Sequence, residues 1–252
     1  MPSESETAAP KPDILLVSDQ PNRLADGGPR YKETPPDPAA VPYAEPWNAV
    51  TASFFIIIVL VWLWRLRGRY LRYPFVVCCM PILLAGGIGG TLYHAFRTQK
   101  VWFLMDVIPI SLLGAAGSIY LTIRLGRIYG LGWVLAAAVG LVGVYLAVNM
   151  FVFRLIQFPN PNWPVNLSYA SLAAIMIIPL IVVLIRTRFR HVAWVAGSLL
   201  SFGIAWFCRL VDNTPWGDLP MGTHWLWHTF GAITTHGITE YFYRLEGKPL
   251  EW

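Results

Sequence analysis

Seven apolar runs of about 20 residues, separated by short polar stretches, constrain this chain more than any other feature of its sequence. A run of this length forms an α-helix that can cross the roughly 30 Å hydrocarbon core of a bilayer. The composition agrees, because 56% of the 252 residues are hydrophobic and only 13% are charged, about half the charged fraction of an ordinary soluble domain. The sequence therefore predicts an all-α, polytopic integral membrane protein with a seven-helix transmembrane bundle.

The apolar runs divide the chain into three regions. Residues 1–41 are rich in Pro, Ala, Asp and Glu and lack a hydrophobic period, so they are predicted to form an irregular N-terminal tail. Residues 42–244 hold the membrane domain, and residues 245–252 form a short C-terminal tail. The predicted spanning helices are 45–64, 74–94, 102–123, 129–153, 165–185, 192–210 and 222–243.

The arginines are concentrated in the stretches after the first, third and fifth predicted helices, of which the first holds Arg65, Arg67, Arg69 and Arg72. This asymmetry places those stretches in the cytoplasm, together with the C-terminus, and places the N-terminal tail outside or in a lumen. A bacterial inner membrane and a eukaryotic endomembrane both agree with this orientation. Because most basic residues lie in short clusters between the apolar runs, the net charge of +5 does not predict nucleic-acid binding.

Three histidines and one aspartate are predicted to meet at a single face of the membrane. His94 ends the second predicted helix, Asp106 lies near the start of the third, and His224 and His228 lie near the start of the seventh. The i, i+4 spacing of the last two puts both rings on one side of a helix. With His94 and a water molecule they would complete the tetrahedron of a catalytic zinc site. The alternative is three separate interfacial histidines that extend toward lipid headgroups.

Asp106 is the candidate catalytic residue, because an ionisable side chain inside a spanning segment is costly and is usually functional. Zinc lowers the pKa of the water that it binds, and a nearby carboxylate can take the proton and pass it to a leaving amine. Arg209 and Asp212 end the sixth predicted helix on the same face. They either orient a ligand histidine or form an ordinary interfacial ion pair.

Three short blocks that contain these residues resemble the alkaline ceramidases, and more broadly the CREST superfamily of seven-helix membrane hydrolases. The first block is AEPWNAV, at 44–50, and the second is GGTLYHAFRTQKVWFLMDVIPI, at 89–110. The third consists of RLVDN, at 209–213, and HWLWH, at 224–228. The blocks follow one another in the family's order across residues 44–230.

The resemblance implies a seven-helix bundle that holds an intramembrane zinc ion between three histidines, which correspond to His94, His224 and His228. It also implies that Asp106 corresponds to the family's catalytic aspartate. The implied reaction is hydrolysis of the amide bond of ceramide-like membrane lipids to a sphingoid base and a fatty acid, or the reverse synthesis.

The chain departs from the family at two places. The family's serine four residues before the first histidine, which helps to stabilise the oxyanion, is replaced by Gly90, so the neighbouring Thr91 is the candidate substitute. The short acidic, Trp-containing calcium motif of animal members is missing from the tail sequence, and Ca²⁺ is therefore not predicted. Glu45 is instead predicted to brace the tail or to form a hydrogen bond with Asn48.

Two other functions agree with the same residues. Zinc chemistry cleaves esters as well as amides, so a phospholipid acyl hydrolase is a second enzymatic hypothesis. A seven-helix lipid receptor with a structural zinc, similar to the adiponectin and progestin receptor branch, is the non-enzymatic alternative. Asp106 beside the histidines favours catalysis over that alternative. The sequence carries no signal for the oligomeric state.

Overall fold

The computed structural model describes residues 23–152 and 163–246 of the chain. Residues 1–22 of the predicted tail, the end of the fourth predicted helix with most of the loop after it, and residues 247–252 lie outside these ranges. Within them the structure is helical, with turns between the helices and one isolated antiparallel bridge between Arg23 and Pro29.

Eight α-helices make up the described part of the chain: α1 Pro46–Ala52, α2 Phe54–Arg65, α3 Pro74–Phe96, α4 Lys100–Tyr129, α5 Leu131–Ala147, α6 Trp163–Arg186, α7 Val192–Val211 and α8 His224–Glu246. Only Ser53 separates α1 from α2, and together they form one apolar segment. The described residues contain six stretches that are long and apolar enough to cross a membrane. They lie in this α1–α2 segment, α3, α4, α5 with the π-helical turn that follows it, α6 and α7. The all-α prediction is confirmed.

The helix that was predicted as the seventh span, α8, is not among those six stretches. Its 23 residues are long enough, but three histidines, two glutamates and an arginine lower its mean hydropathy. α8 nevertheless packs against α1, α2, α3 and α7. The buried carboxylate of Glu240 pairs with Arg65 and Arg244. Contacts with other helices thus accommodate the polar side chains of α8. The same side chains lower its mean hydropathy, which takes no account of such contacts.

Glycines allow α3 and α4 to approach each other closely. A Cβ atom added at Gly89 would lie 2.6 Å from the backbone carbon of Met105, and one added at Gly86 would lie 3.1 Å from Cβ of Pro109. Small residues at a helix interface permit such backbone contact inside a membrane, where packing is the main attraction between helices. The close approach fixes the position of the first turns of α4 against the last turns of α3.

α4 is longer than the sequence predicted. The sequence predicts that the third helix ends at residue 123 and that Arg124 and Arg127 lie in a loop. The helix instead continues to Tyr129, and Gly130, whose φ is +84°, follows its end. Arginine is a favourable helix residue, and positive charge is stabilised near a helix C-terminus, so a basic stretch need not end a helix. Arg124 donates a hydrogen bond to the carbonyl oxygen of Leu245 at 2.9 Å, which ties α4 to the end of α8.

The tightest apolar core lies at the end of the bundle opposite the histidines. Its side chains come from α2, α3, α4, α6, α7 and α8 and include Trp62, Val76, Leu121, Val183 and Tyr241, none of which is more than 1% exposed. The other end of the bundle is filled by polar groups and by the ordered part of the N-terminal tail. The two ends therefore have different chemistry.

Replacing Gly89 with Ala should destabilise the protein, because the new methyl group would collide with the backbone of α4. Overpacking of this kind costs about 1–3 kcal/mol. We expect a lower midpoint of thermal unfolding for Gly89→Ala in detergent, followed by tryptophan fluorescence. Gly143→Ala is the control, because an added Cβ there meets nothing within 4 Å and alanine favours the helix. Equal midpoints for the two variants would contradict the proposed close packing of α3 and α4.

Candidate metal centre

Three buried histidines from two helices meet at one end of the bundle. His94 lies in the last turn of α3, and His224 and His228 lie in the first two turns of α8. None of the three is more than 3% exposed. One candidate ligand atom from each residue lies within 4.8 Å of the others. The predicted grouping of these histidines is therefore present, and the group could hold a metal ion.

The orientation of His94 suits a metal ligand. Its Nδ1 lies 2.5 Å from Oε2 of Glu45, and its Nε2 lies 3.1 Å from Nε2 of His228. A proton on Nδ1 of His94 can be donated to the Glu45 carboxylate. The lone pair of Nε2 then remains free and points toward His228. Two nitrogens that share a tetrahedral zinc ion, each about 2.0–2.1 Å from it, stand about 3.3 Å apart. The spacing found here is close to that value.

His224 provides a second sign that the site fits a metal ion. Its Nδ1 is buried and has no hydrogen-bond partner among the residues that the structure describes. A buried polar atom without a partner costs about 1–3 kcal/mol, and a bound cation would satisfy it. The imidazole ring is held from outside by Tyr31, whose ring stacks on it at a centroid distance of 3.8 Å.

The backbone of the chain places these ligands through two caps. Arg97 adopts a left-handed conformation, with φ of 52°, and ends α3 just after His94. The incoming chain then pairs with that end, since the amide of Glu45 donates to the carbonyl oxygen of His94 at 3.1 Å. At α8, Oδ1 of Asp212 accepts hydrogen bonds from the amides of Thr223 and His224, at 2.7 and 2.8 Å. Asp212 thus caps the helix that carries two of the ligands.

Glu45 connects the metal-ligand candidates to a buried ion network. One of its oxygens faces His94, and the other pairs with Arg97. Asn48 donates a hydrogen bond to Oε2 of Glu45 at 3.2 Å. Burial alone would raise the pKa of the Glu45 carboxyl, but His94 and Arg97 outweigh that effect and hold the pKa below its ordinary value. Glu45 is therefore an ionised acceptor at neutral pH.

Arg97 fastens the N-terminal tail over the site. Its guanidinium pairs with Asp26 at 2.8 Å and donates to the carbonyl oxygen of Pro29 at 2.8 Å, besides its contact with Glu45. The three charged side chains are at most 3% exposed. Asp26 and Glu45 are thus both paired with the same guanidinium.

Asp106 lines a cavity that reaches one of the three histidines, His228. The cavity has a volume of about 240 Å³ and is lined by residues of α2, α3, α4, α6, α7 and α8. Asp106 and His228 are among its lining residues. Most of the other lining side chains are apolar, and they include Phe55, Phe75 and Phe242. The 14 residues between His228 and Phe242 correspond to about 21 Å of helix, so the cavity extends far toward the opposite end of the bundle.

The structure places the remaining predicted site residues in different surroundings. The Thr91 hydroxyl donates a hydrogen bond to the carbonyl oxygen of Gly87 at 2.7 Å, within its own helix. At Gly90, an added Cβ would lie 2.6 Å from Oδ1 of Asp106. The carboxylate thus occupies the space that a side chain at position 90 would need. The Arg209 guanidinium lies over the rings of Tyr169 and Trp227, at 5.2 and 5.3 Å.

Sequence reasoning missed Tyr31, Asp26 and Arg97. Tyr31 and Asp26 belong to a stretch whose composition predicts an irregular tail, and no local pattern reveals that the stretch docks on the helix ends. Arg97 lies in the short stretch between the second and third predicted helices, to which the sequence alone gives no role. A usable signal is present, since Arg97 follows His94 by three residues and an arginine there needs acidic partners if it is buried.

No protein-family model matches this chain, and no curated protein is significantly similar to it in sequence.

Replacing Glu45 with Gln should weaken metal binding about 10–100-fold, because an amide holds the His94 tautomer less firmly than a carboxylate does. Elemental analysis of the purified protein, followed by competition with a chelator, would measure this loss. Glu33→Gln is the matched control. Glu33 accepts from the amides of Trp47 and Asn48 at 2.7 and 3.0 Å and so caps α1 without touching a histidine. The same loss of affinity in both variants would contradict a specific role of Glu45.

Proposed function

We propose that this protein is a zinc-dependent intramembrane amidase that hydrolyses ceramide-like N-acyl lipids to a sphingoid base and a fatty acid. The observation that carries the proposal is the cavity, in which Asp106 and His228 stand at one end of a long apolar lining. A lipid with an acyl chain and a polar linkage has the same distribution of chemistry. Its chain suits the apolar part, and its linkage suits the end with the histidines.

Zinc is the metal that we propose, because three neutral histidines with a water molecule are a common donor set of catalytic zinc sites. His94, His224 and His228 would hold it, and Glu45 and Asp212 would keep two of these side chains in place. When bound, zinc would polarise the substrate carbonyl and make water a better nucleophile at neutral pH.

Asp106 is suited to move the proton during hydrolysis. The carboxylate can accept a proton from the attacking water and deliver it to the nitrogen of the leaving amine. Its position is set by the close contact of α3 with α4, since Oδ1 lies over Gly90 one turn before His94. A side chain at position 90 would displace the carboxylate, so Gly90 keeps Asp106 near the ligands.

The tail and the helices shield this chemistry from bulk water. Tyr31 covers one face of His224, and the Asp26–Arg97 pair holds the tail in place over the end of α3. A dry site strengthens electrostatic interactions with the groups that react. The ordered tail therefore supports an enzymatic function at this end of the bundle.

The choice of a ceramide-like amide rests on the resemblance of the three sequence blocks to the alkaline ceramidases. We propose membership of that family, with α8 as the seventh spanning helix and with the tail outside the cytoplasm. Three features support the spanning role of α8: its length of 23 residues, its contacts with α1, α2, α3 and α7, and the pairing of its buried Glu240.

The proposal predicts that the purified protein hydrolyses a ceramide with a fluorescent acyl chain in detergent micelles, and that a strong chelator abolishes the reaction. Added Zn²⁺ should restore it. His228→Ala should lack both metal and activity, because two imidazoles alone hold zinc weakly. Release of the labelled fatty acid, followed by thin-layer chromatography, measures the reaction.

Two further lipid substrates separate the competing functions. A phospholipid with the same labelled chain tests the ester-hydrolase hypothesis, and labelled fatty acid with sphingosine tests synthesis. Cleavage of the phospholipid alone would replace the amidase proposal with the esterase. If metal-loaded protein neither cleaves nor forms any of these lipids, the enzymatic proposal is wrong and a lipid receptor with structural zinc becomes the better explanation.

Asp106→Asn should keep the metal but lose most of its turnover, because an amide cannot carry the proton. We expect a decrease in kcat of about 10²–10⁴-fold, the usual contribution of general acid–base catalysis. Asp218→Asn is the matched control, since Asp218 is exposed and contacts only Lys32 among the described ion pairs. Wild-type turnover in Asp106→Asn would remove Asp106 from the mechanism.

A further inference from the structure

Tyr31 is the aromatic side chain of the tail that lies closest to the histidines. Its ring stacks on His224 at 3.8 Å with an interplanar angle of 19°, and its centroid lies 5.4 Å from that of His94. The side chain is only 8% exposed although it comes from a segment outside the helices. Tyr31 therefore borders two of the three ligand candidates.

The backbone around Tyr31 is fixed on both sides. Before it, the carbonyl oxygen of Pro29 accepts from Arg97. The amide of Tyr31 itself donates to Oγ1 of Thr34 at 2.9 Å, and the amide of Lys32 donates to Asp212 at 3.0 Å. Asp212 is the residue that caps α8, so the tail and the ligand-bearing helix share one anchor. A side chain held in this way is preorganised, which a catalytic hydrogen bond requires.

The Tyr31 hydroxyl interacts with groups at the head of the cavity. It interacts with the guanidinium of Arg209, and the Asp106 carboxylate is among the charges that act on it. Arg209 in turn covers Tyr169 and Trp227, both of which line the cavity. The phenol thus borders the histidines with its ring and interacts, through its hydroxyl, with a guanidinium that packs on two residues of the cavity wall.

A phenol can accept one hydrogen bond and donate another at the same time. If the oxygen of Tyr31 accepts from Arg209, its own proton remains for a substrate atom. The two candidates that the sequence offered in α3 are less suited to donate. Position 90 has no side chain, and the hydroxyl of Thr91 already donates to the carbonyl oxygen of Gly87.

We propose that the Tyr31 hydroxyl donates a hydrogen bond to the oxyanion that forms on the carbonyl oxygen of the lipid substrate, which makes Tyr31 a catalytic residue supplied by the N-terminal tail. The inference rests on the proposed amide hydrolysis.

During hydrolysis, the oxygen of the water bonds to the carbonyl carbon of the amide, while the electron pair of the C=O bond moves to the carbonyl oxygen. When that pair returns, the C–N bond breaks, and the proton taken by Asp106 goes to the amine nitrogen.

The test compares Tyr31→Phe with wild-type protein, both as full-length, zinc-loaded protein. Phenylalanine keeps the ring that stacks on His224 and removes only the hydroxyl. We expect an unchanged zinc content and a nearly unchanged KM for labelled ceramide. The kcat should fall about 10²-fold, the effect of losing one oxyanion donor.

Binding of a transition-state analogue provides a readout that is independent of turnover. A phosphonate in place of the amide carbonyl imitates the tetrahedral oxyanion, and calorimetry measures its Kd. Its affinity should fall by about the same factor as kcat/KM, because both report stabilisation of the transition state. Tyr43→Phe is the matched control, since Tyr43 also precedes α1 but is 64% exposed, and it should behave as wild type.

The outcomes separate the two proposals. Unchanged kcat and unchanged phosphonate affinity in Tyr31→Phe would overturn the role of its hydroxyl while the amidase function stands. Loss of zinc from Tyr31→Phe would also overturn it, by showing that the hydroxyl is needed for the structure of the site. A wild-type protein that binds zinc and leaves ceramide intact would instead overturn the proposed function.

Discussion

The arrangement of the described site depends on the Glu45 carboxylate, which lies between His94 and Arg97. Through His94 it sets the tautomer of a ligand candidate, and through Arg97 it is joined to Asp26 and the tail. A buried charge that loses its partner costs about 3–5 kcal/mol, so no member of this network is stable there alone. The tail, the start of α1 and the end of α3 are therefore held together by one electrostatic unit.

The two ends of α8 show how a helix with several polar residues can be kept among apolar neighbours. At one end, His224 and His228 meet His94, and at the other Glu240 lies between Arg65 and Arg244. The guanidinium of Arg65 also contacts the faces of Trp62 and Tyr243, at 4.7 and 4.6 Å. Between these two polar ends runs the apolar cavity. Polar groups and apolar volume are thus distributed along the same helix.

The helices and the histidine group could be predicted from the sequence because both depend on local spacing. Apolar runs define helices, and the i, i+4 spacing of His224 and His228 needs only one helix to bring them together. The end of the second predicted helix and the start of the seventh lie on the same membrane face, which places His94 near the other two histidines. These inferences require no knowledge of how the helices pack.

The remaining features depend on contacts between distant segments, which no local pattern reveals. Tyr31 reaches His224 only because Arg97 and Asp212 hold the tail, and both anchors are long-range contacts. The same holds for Gly90. In the sequence, Gly90 indicates only that a hydrogen-bond donor to the oxyanion is missing. In the structure, the neighbouring helix α4 places the carboxylate of Asp106 over Gly90. The extension of α4 through Arg124 was missed because a basic stretch was taken to mark a loop.

The separation of the histidines along the chain has a consequence for biogenesis. His94 and His228 are 134 residues apart, and the second of them lies in the last helix that the structure describes. During synthesis the metal centre can form only after α8 has been made and packed against α3. A ribosome-bound or truncated chain would hold two unpaired halves of the site, and bound metal would stabilise only the completed bundle. An ion held by all three histidines would thus bind only the assembled bundle.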